Sequence, residues 1–274
     1  MTLRTALEQG VKLLQEGEIG VPKLTAEVLL AHALRRERVY LYAHPDDELT
    51  EVAWIHYGRY LHQRLRGIPT QYITKKQEFY GRDFRVTPDV LIPRPETEHL
   101  VSAVLERVRP GATVVDVGTG SGAIAVTVAL ESRSRVFATD ISHPALAVAS
   151  SNAKMLGAPV EFICCDLMDA VSRVNIVASN PPYVGLSEAE GLQREVRDHE
   201  PHVALFAGED GNNIYRRLVS DAERVLSSGG WLLLELGYRS LDAVRAMLGT
   251  DWTDVAAIDD LAGIPRVLAA RRQP

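Results

Sequence analysis

The chain has 274 residues, 46% hydrophobic and 24% charged, with a net charge of −6, a globular balance large enough for one big folded unit and a smaller one and unlike a fibre or a disordered tail. The acidic balance argues against a broad, sequence-independent grip on nucleic acid, which depends on Lys and Arg neutralising phosphates; residues 1–75 carry 10 Lys/Arg against 9 Asp/Glu, the remainder 20 against 27. Arg4, Glu8 and Lys12 break the N-terminal stretch as no signal-peptide core tolerates, and no apolar run approaches the ~20 residues of a membrane span, so a cytoplasmic chain is expected.

Residues 1–75 read as a small helical domain. Leu3, Leu7, Val11 and Leu14 recur at helical spacing, and Gly17, Gly20 and Pro22 end that helix. A second helix is expected over 26–36, and a third from an N-cap at Thr50 to about Arg66. The basic run Arg35-Arg36-Glu37-Arg38 reads as a solvated helix end. From 71 to 92 the β-formers Tyr72, Ile73, Phe79, Tyr80, Phe84, Val86 and Val90 surround Gly81-Arg82-Asp83, predicting a hairpin over 76–92 that connects two domains, with its turn at that triplet.

The remainder, 93–274, alternates strand and helix. Strands are expected at 113–117, 135–139, 160–164, 175–179, 230–236, 253–258 and 266–270, with helices at 144–156, 214–226, 241–248 and from the glycines after 117 to Leu130. Fully apolar strands separated by helices imply a parallel sheet covered on both faces. The last two strands are joined by Asp259-Asp260-Leu261-Ala262-Gly263-Ile264-Pro265, too short for a crossover, so they should pair antiparallel. Cys164 and Cys165 are adjacent and have no third partner, so they form no disulfide framework; they are expected to pack as small hydrophobes and bind no metal.

Three strand ends carry candidate chemistry. Asp116-Val117-Gly118-Thr119-Gly120-Ser121-Gly122 runs from a strand through glycines into a helix, where the main chain can turn sharply and a ligand can approach it. That pattern also suits NAD or FAD, or a tight turn with no ligand. Asp140, 22 residues after Gly118, stands where a carboxylate can accept both hydroxyls of a ribose, though it could equally cap the helix that follows Ser142. Asp166 and Leu167 end the next strand and suit an adenine amine and ring. Val174–Ser179 then leads into Asn180-Pro181-Pro182-Tyr183, where the prolines end the ladder and stiffen the loop. The Asn180 amide oxygen beside a main-chain carbonyl gives two acceptors for the two hydrogens of a planar NH2 group. Holding a weakly nucleophilic amide nitrogen in this way favours attack on a sulfonium methyl, and Tyr183 offers an aromatic face.

With these residues the chain resembles amino methyltransferases that act on a planar NH2. Leu91-Ile92-Pro93-Arg94-Pro95-Glu96-Thr97-Glu98, Pro69-Thr70-Gln71-Tyr72-Ile73, Glu78-Phe79-Tyr80-Gly81, His199-Glu200-Pro201 and Leu234-Glu235-Leu236-Gly237-Tyr238 narrow the likeness over essentially the whole chain. It resembles the release-factor glutamine N5-methyltransferase family (PrmC/HemK). The resemblance implies a seven-stranded Rossmann-like methyltransferase domain of mostly parallel sheet with one antiparallel strand. It implies S-adenosylmethionine as cofactor, S-adenosylhomocysteine as product, and the GGQ glutamine of peptide chain release factors as substrate. Carried over by position, Gly118 to Gly122, Asp140 and Asn180 would contact the cofactor, with Asp116 near its ammonium, and Asn180 to Tyr183 would hold the glutamine. Arg94 and Glu96 would close over the methionine part. Leu167 replaces a Trp frequent in the family and supplies an apolar face without stacking. Glutamine methylation of a ribosomal protein shares most of these motifs. Adenine-N6 methylation would call for a basic DNA-facing surface, an NAD oxidoreductase leaves Asn180–Tyr183 unexplained, and a non-catalytic module would not need them. A monomer without nucleic-acid or membrane contacts is expected, its residues 1–75 docking the protein substrate.

Overall fold

A computed structural model describes residues 1–273 as two compact units, one formed by Met1–Lys75 with Gln193–His199 and the other by Lys76–Leu192 with the chain from Glu200 onward. The first unit holds α1 (Leu3–Glu16), α2 (Pro22–Leu34), α3 (Arg38–Ala43), α4 (Glu51–Leu65) and α5 (Thr70–Thr74). The hydroxyls of Thr2 and Thr50 cap α1 and α4 by accepting from Thr5 N and Ala53 N. Leu3, Leu14, Leu29, Leu30, Tyr57 and Leu61 share one core. Each buried leucine among them contributes roughly 1.5–3 kcal/mol.

Four expectations shift here. The buried stripe of α1 is Leu3, Ala6, Gly10 and Leu14, with Leu7 and Val11 only packed at its margin; Gly10 allows this because a Cβ there would overlap the Tyr57 hydroxyl. Pro22 opens α2 rather than closing α1, as suits a residue with no N–H to satisfy in a first helical turn. Arg38 is not simply solvated: its guanidinium bonds the buried Glu27 at 2.8 Å. Tyr72 and Ile73 lie in the single turn of α5 and not in a strand.

In the second unit β1 (Lys76–Phe79) and β2 (Arg82–Arg85) form a hairpin with Phe79 opposite Arg82. Its turn is therefore Tyr80-Gly81, one residue earlier than the sequence suggests, with φ of 52° and 71°, the paired positive values of a type I′ turn. The helix α6 (Glu98–Arg107), absent from the sequence expectation, precedes β3 (Thr113–Val117), α7 (Ala123–Glu131), β4 (Arg135–Asp140), α8 (His143–Leu156), β5 (Val160–Cys164) and β6 (Val174–Ser179). The short α9 (Arg194–His199) belongs to the first unit, and α10 (Asn213–Val225), β7 (Leu226–Glu235), α11 (Leu241–Ala246), β8 (Trp252–Asp259) and β9 (Pro265–Arg272) complete the second.

The sheet order is β5-β4-β3-β6-β7-β9-β8. All neighbours are parallel except those of β9, which runs antiparallel to β7 and β8. One face of the sheet is covered by a core containing Leu100, Val104, Ile124, Val128 and Ala153, from α6, α7 and α8. The other is covered by Tyr215, Leu218, Val219 and Val244, from α10 and α11. Cys164 ends the edge strand β5 and is exposed, contrary to its expected packing, while Cys165 donates to Leu167 O at 3.5 Å. From β3 the chain winds first toward β4 and β5 and then back to β6 and β7, so the order reverses between β3 and β6. Open α/β sheets bind ligands outside the carboxyl ends of the strands at such a reversal.

Candidate functional site

At the end of β3, Gly118 and Gly120 adopt φ of 72° and 54°, and a Cβ on either would meet nothing within 4 Å. Their main chain borders open space, as close approach by a ligand requires. Gly122 serves differently, since a Cβ there would stand 3.1 Å from that of Ala149 on α8. Gly118 N and Thr119 N both donate to Thr139 O at 2.9 Å, tying the loop to β4. Asp116 is fully buried behind the loop and does not line the cavity. Its Oδ2 accepts from Thr119 Oγ1 at 2.6 Å and Ala125 N at 3.1 Å, its Oδ1 has no partner, and burial pushes its pKa up to about 7.

Gly118, Thr119, Gly120 and Ser121 line one cavity together with Asp140, Asp166, Leu167, Asn180 and Pro182. Asp140 Oδ2 accepts from Gly120 N at 2.9 Å and Oδ1 from Ser142 N at 2.8 Å. Burial raises its pKa against these bonds. The carboxylate thus joins the glycine loop to the start of α8, which Ser142 caps. Asp166 Oδ2 accepts from Arg217 Nη2 at 2.7 Å; Arg217, on α10, also lines the cavity and carries no sequence motif. Leu167 has a φ of 43°, and Ile141, 59% exposed, adds a second apolar surface to the same wall.

Ser179 donates to Val117 O at 2.7 Å, joining the ends of β6 and β3 just before the proline corner. Asn180 Nδ2 donates to Thr97 Oγ1 at 3.1 Å. Pro181 is buried and Tyr183 half-buried, and neither lines the cavity. The Tyr183 ring lies against Gly237, where a Cβ would come to 2.7 Å from Cδ2. Burial pushes its hydroxyl pKa up to about 12, so it stays protonated.

The segment 91–97 reaches the cavity through Leu91, Pro93 and Thr97, not through Arg94 or Glu96. Arg94 instead pairs with Glu200, which is 3% exposed and also accepts from Ile92 N at 3.2 Å. Glu200 thereby binds this segment to the one that follows it, whose Pro201, Val203 and Ala204 complete the wall. Among the described residues, no group of three or more His, Cys, Asp or Glu could hold a metal, and no helix is long and apolar enough to cross a membrane.

Residues 5–74 match the model of the PrmC N-terminal domain and residues 95–195 that of the methyltransferase small domain. The chain is 47% identical over 278 residues to a release factor glutamine methyltransferase of Koribacter versatilis, covering 99% of each chain. The chain belongs to the release factor glutamine methyltransferase family. Another protein of that name, from Nitratidesulfovibrio vulgaris, is 40% identical over 281 residues, 99% of this chain and 95% of the relative. A crystal structure of a methyltransferase from Pyrococcus furiosus superposes with a TM-score of 0.56 at 16% identity, over 79% of this chain and all of that one, which establishes the shared fold. As a member of that family, the chain brings a glycine-lined wall and an Asn-Pro-Pro corner to a single cavity at the sheet's reversal point.

Proposed function

We propose that the protein transfers the methyl group of S-adenosylmethionine to the side-chain amide nitrogen, N5, of the GGQ glutamine in peptide chain release factors, leaving S-adenosylhomocysteine. The observation that carries this reading is Asn180, on the cavity wall with its NH2 bound to Thr97. Its Oδ1 and a main-chain carbonyl of the proline corner then serve as acceptors for a substrate NH2. The residues of the wall fit the cofactor. Gly118 and Gly120 leave room against the main chain, Asp140 offers carboxylate lone pairs to ribose hydroxyls, and Ile141 and Leu167 offer apolar surface to a base. Asp116 acts from behind, holding Thr119 and the start of α7 in place.

When bound, the cofactor supplies an electrophilic methyl on a sulfonium. Asn180 holds the amide hydrogens so that the nitrogen faces that methyl, and its acceptors become stronger partners as positive charge grows on the NH2. No strong base is needed before transfer, because the extra proton is acidic only once the new C–N bond forms. The rigid prolines keep these acceptors in place. In the same reading residues 1–75 dock the release factor, 76–92 connect and 93–274 catalyse. The enzyme works as a cytoplasmic monomer without contacting nucleic acid or membrane.

Mass spectrometry of purified release factors after incubation with the enzyme and labelled cofactor tests the assignment, with a parallel arm offering ribosomal proteins. A single methyl on the GGQ glutamine, dependent on both components, is expected. Label on a ribosomal protein alone, or on nucleic acid, would overturn it.

A further inference from the structure

Behind the proline corner lies a buried polar chain that the transfer chemistry does not use directly. Thr97 is 4% exposed and Glu235, at the end of β7, is 3% exposed. Asn180 Nδ2 donates to Thr97 Oγ1 at 3.1 Å. The Thr97 hydroxyl neighbours the Glu235 carboxyl and favours its charged form, and Glu235 Oε2 is buried without a hydrogen-bond partner. A hydroxyl owns one proton. If that proton goes to a carboxylate, Thr97 Oγ1 can only accept from its other neighbour, and the neighbouring amide must turn its NH2 toward it.

We infer that Glu235 and Thr97 form a positioning relay that sets the orientation of the Asn180 side-chain amide, so that Oδ1 and not Nδ2 faces the substrate nitrogen. An amide group is nearly symmetric in shape, so packing alone cannot choose between its two orientations; hydrogen-bond polarity must do so. With the amide reversed, Nδ2 would point its hydrogens at those of the substrate NH2, and the acceptor that makes the corner competent would be lost. The carboxylate imposes the polarity without touching substrate or cofactor. This inference rests on the proposed glutamine-methyl transfer, but it concerns a different link from substrate identity.

The relay works while Glu235 is ionised. Burial pushes its pKa up to about 7, with Glu96 raising it further and Thr97, Arg266 and Arg94 opposing. Tyr183 from the corner and Tyr215 from α10 also face this carboxyl, and both stay protonated because burial raises their pKa values. A protonated Glu235 can donate to Thr97, which frees the hydroxyl proton to bond Asn180 Oδ1 in the reversed orientation. Transfer should therefore rise with pH as Glu235 loses its proton.

Single-turnover methylation of a release factor in Glu235→Gln, Thr97→Val and Thr97→Ser variants tests the relay. The first substitution keeps the shape of the side chain but offers an NH2, and the second removes the hydroxyl. Both should slow transfer by roughly tenfold or more, as for loss of an aligned polar contact. In Glu235→Gln cofactor affinity and KM should stay within about twofold, since that side chain does not line the cavity. Thr97→Ser should restore most of the rate, and the rise with pH seen in the wild type should vanish in Glu235→Gln. Transfer by Glu235→Gln and Thr97→Val near the wild-type rate, an unchanged pH profile in Glu235→Gln, or a Thr97→Ser variant as slow as Thr97→Val would each overturn the relay. A wild-type enzyme that leaves every release factor unmethylated would instead defeat the functional reading beneath it.

Discussion

Asn180 and Asp140 occupy one wall but should fail in different ways. Asn180→Ala should leave cofactor affinity within about an order of magnitude while single-turnover transfer loses about 2.7–4 kcal/mol, as when a preorganised polar contact is removed. Unchanged transfer would remove Asn180 from the chemistry. Asp140→Ala deletes the acceptor for Gly120 N and Ser142 N as well as lone pairs on the wall, so calorimetry should show cofactor affinity falling; undiminished affinity would separate Asp140 from the ribose. Asp116 makes a pH prediction. Its pKa in the fold, near 7, lies above that of an unfolded Asp, so the native state holds a proton that the unfolded chain releases. Its stabilising contribution is full below about pH 4 and lost as pH rises through about 7. The Tm of Asp116→Asn relative to wild type should climb between about pH 5 and pH 8, and a flat difference would refute this. The residues that can be read from sequence are those where the main chain itself demands a type: Gly118 and Gly120 for their positive φ, and the prolines for ending a strand. Thr97 and Arg217 are not legible. A hydroxyl whose partner is 83 residues away leaves no local pattern, and an arginine on the polar side of α10 looks like any solvated charge. In the 91–97 segment the charges Arg94 and Glu96 draw attention, whereas the residues that reach the cavity are neutral.

Strands buried on both faces announce themselves, because a continuous apolar run of this length bounded by turn residues favours a strand over a longer buried helix; β3 begins and ends where the sequence places it. Short helices are harder. α3 and α5, of six and five residues, are too brief to show a helical period, and in α5 the β preference of Tyr72 and Ile73 yields to their burial in a helical turn. The turn at Tyr80-Gly81 escapes a sequence reading because an aromatic residue at positive φ is rare, and hairpin register can impose what local preference disfavours. At the proline corner, the loop after β7 supports the loop after β6: Gly237 faces the Tyr183 ring with no room for a methyl. Gly237→Ala must displace that ring or the corner. Transfer should fall at least tenfold with cofactor affinity kept within about threefold, an overpacking effect confined to one element. Equal losses in both would place the defect in the whole fold.

The reversal between β3 and β6 explains why motifs scattered from 91 to 237 converge, since strand ends far apart in sequence become neighbours only once the sheet order is set. The topology is legible as a class, from alternating elements and one link too short for a crossover, but the partnerships behind the wall are not. Under the proposed function, a molecule with a net charge of −6 must hold a whole protein whose reacting group is a single glutamine. A cavity within the first unit is lined by Arg35, Arg59 and Lys75 and by no acidic side chain. Arg35 and Lys75 lie close enough to His32 to press its pKa down, after burial, the larger cause. The Arg59 guanidinium stands 5.2 Å above the Tyr60 ring. If residues 1–75 dock the release factor, this positive and aromatic surface is where an acidic segment of it would bind, and the contribution should fade with salt over a Debye length of about 8 Å at physiological ionic strength. Reversing the three charges (Arg35→Glu, Arg59→Glu, Lys75→Glu) should raise KM for the intact factor by roughly tenfold or more, through lost steering and contact. The same change should leave KM for a short glutamine peptide unaltered, because such a peptide reaches only the proline corner. The two KM values moving together would show that the helical unit has no part in docking, and a large effect that persists in high salt would show that its contribution is not electrostatic.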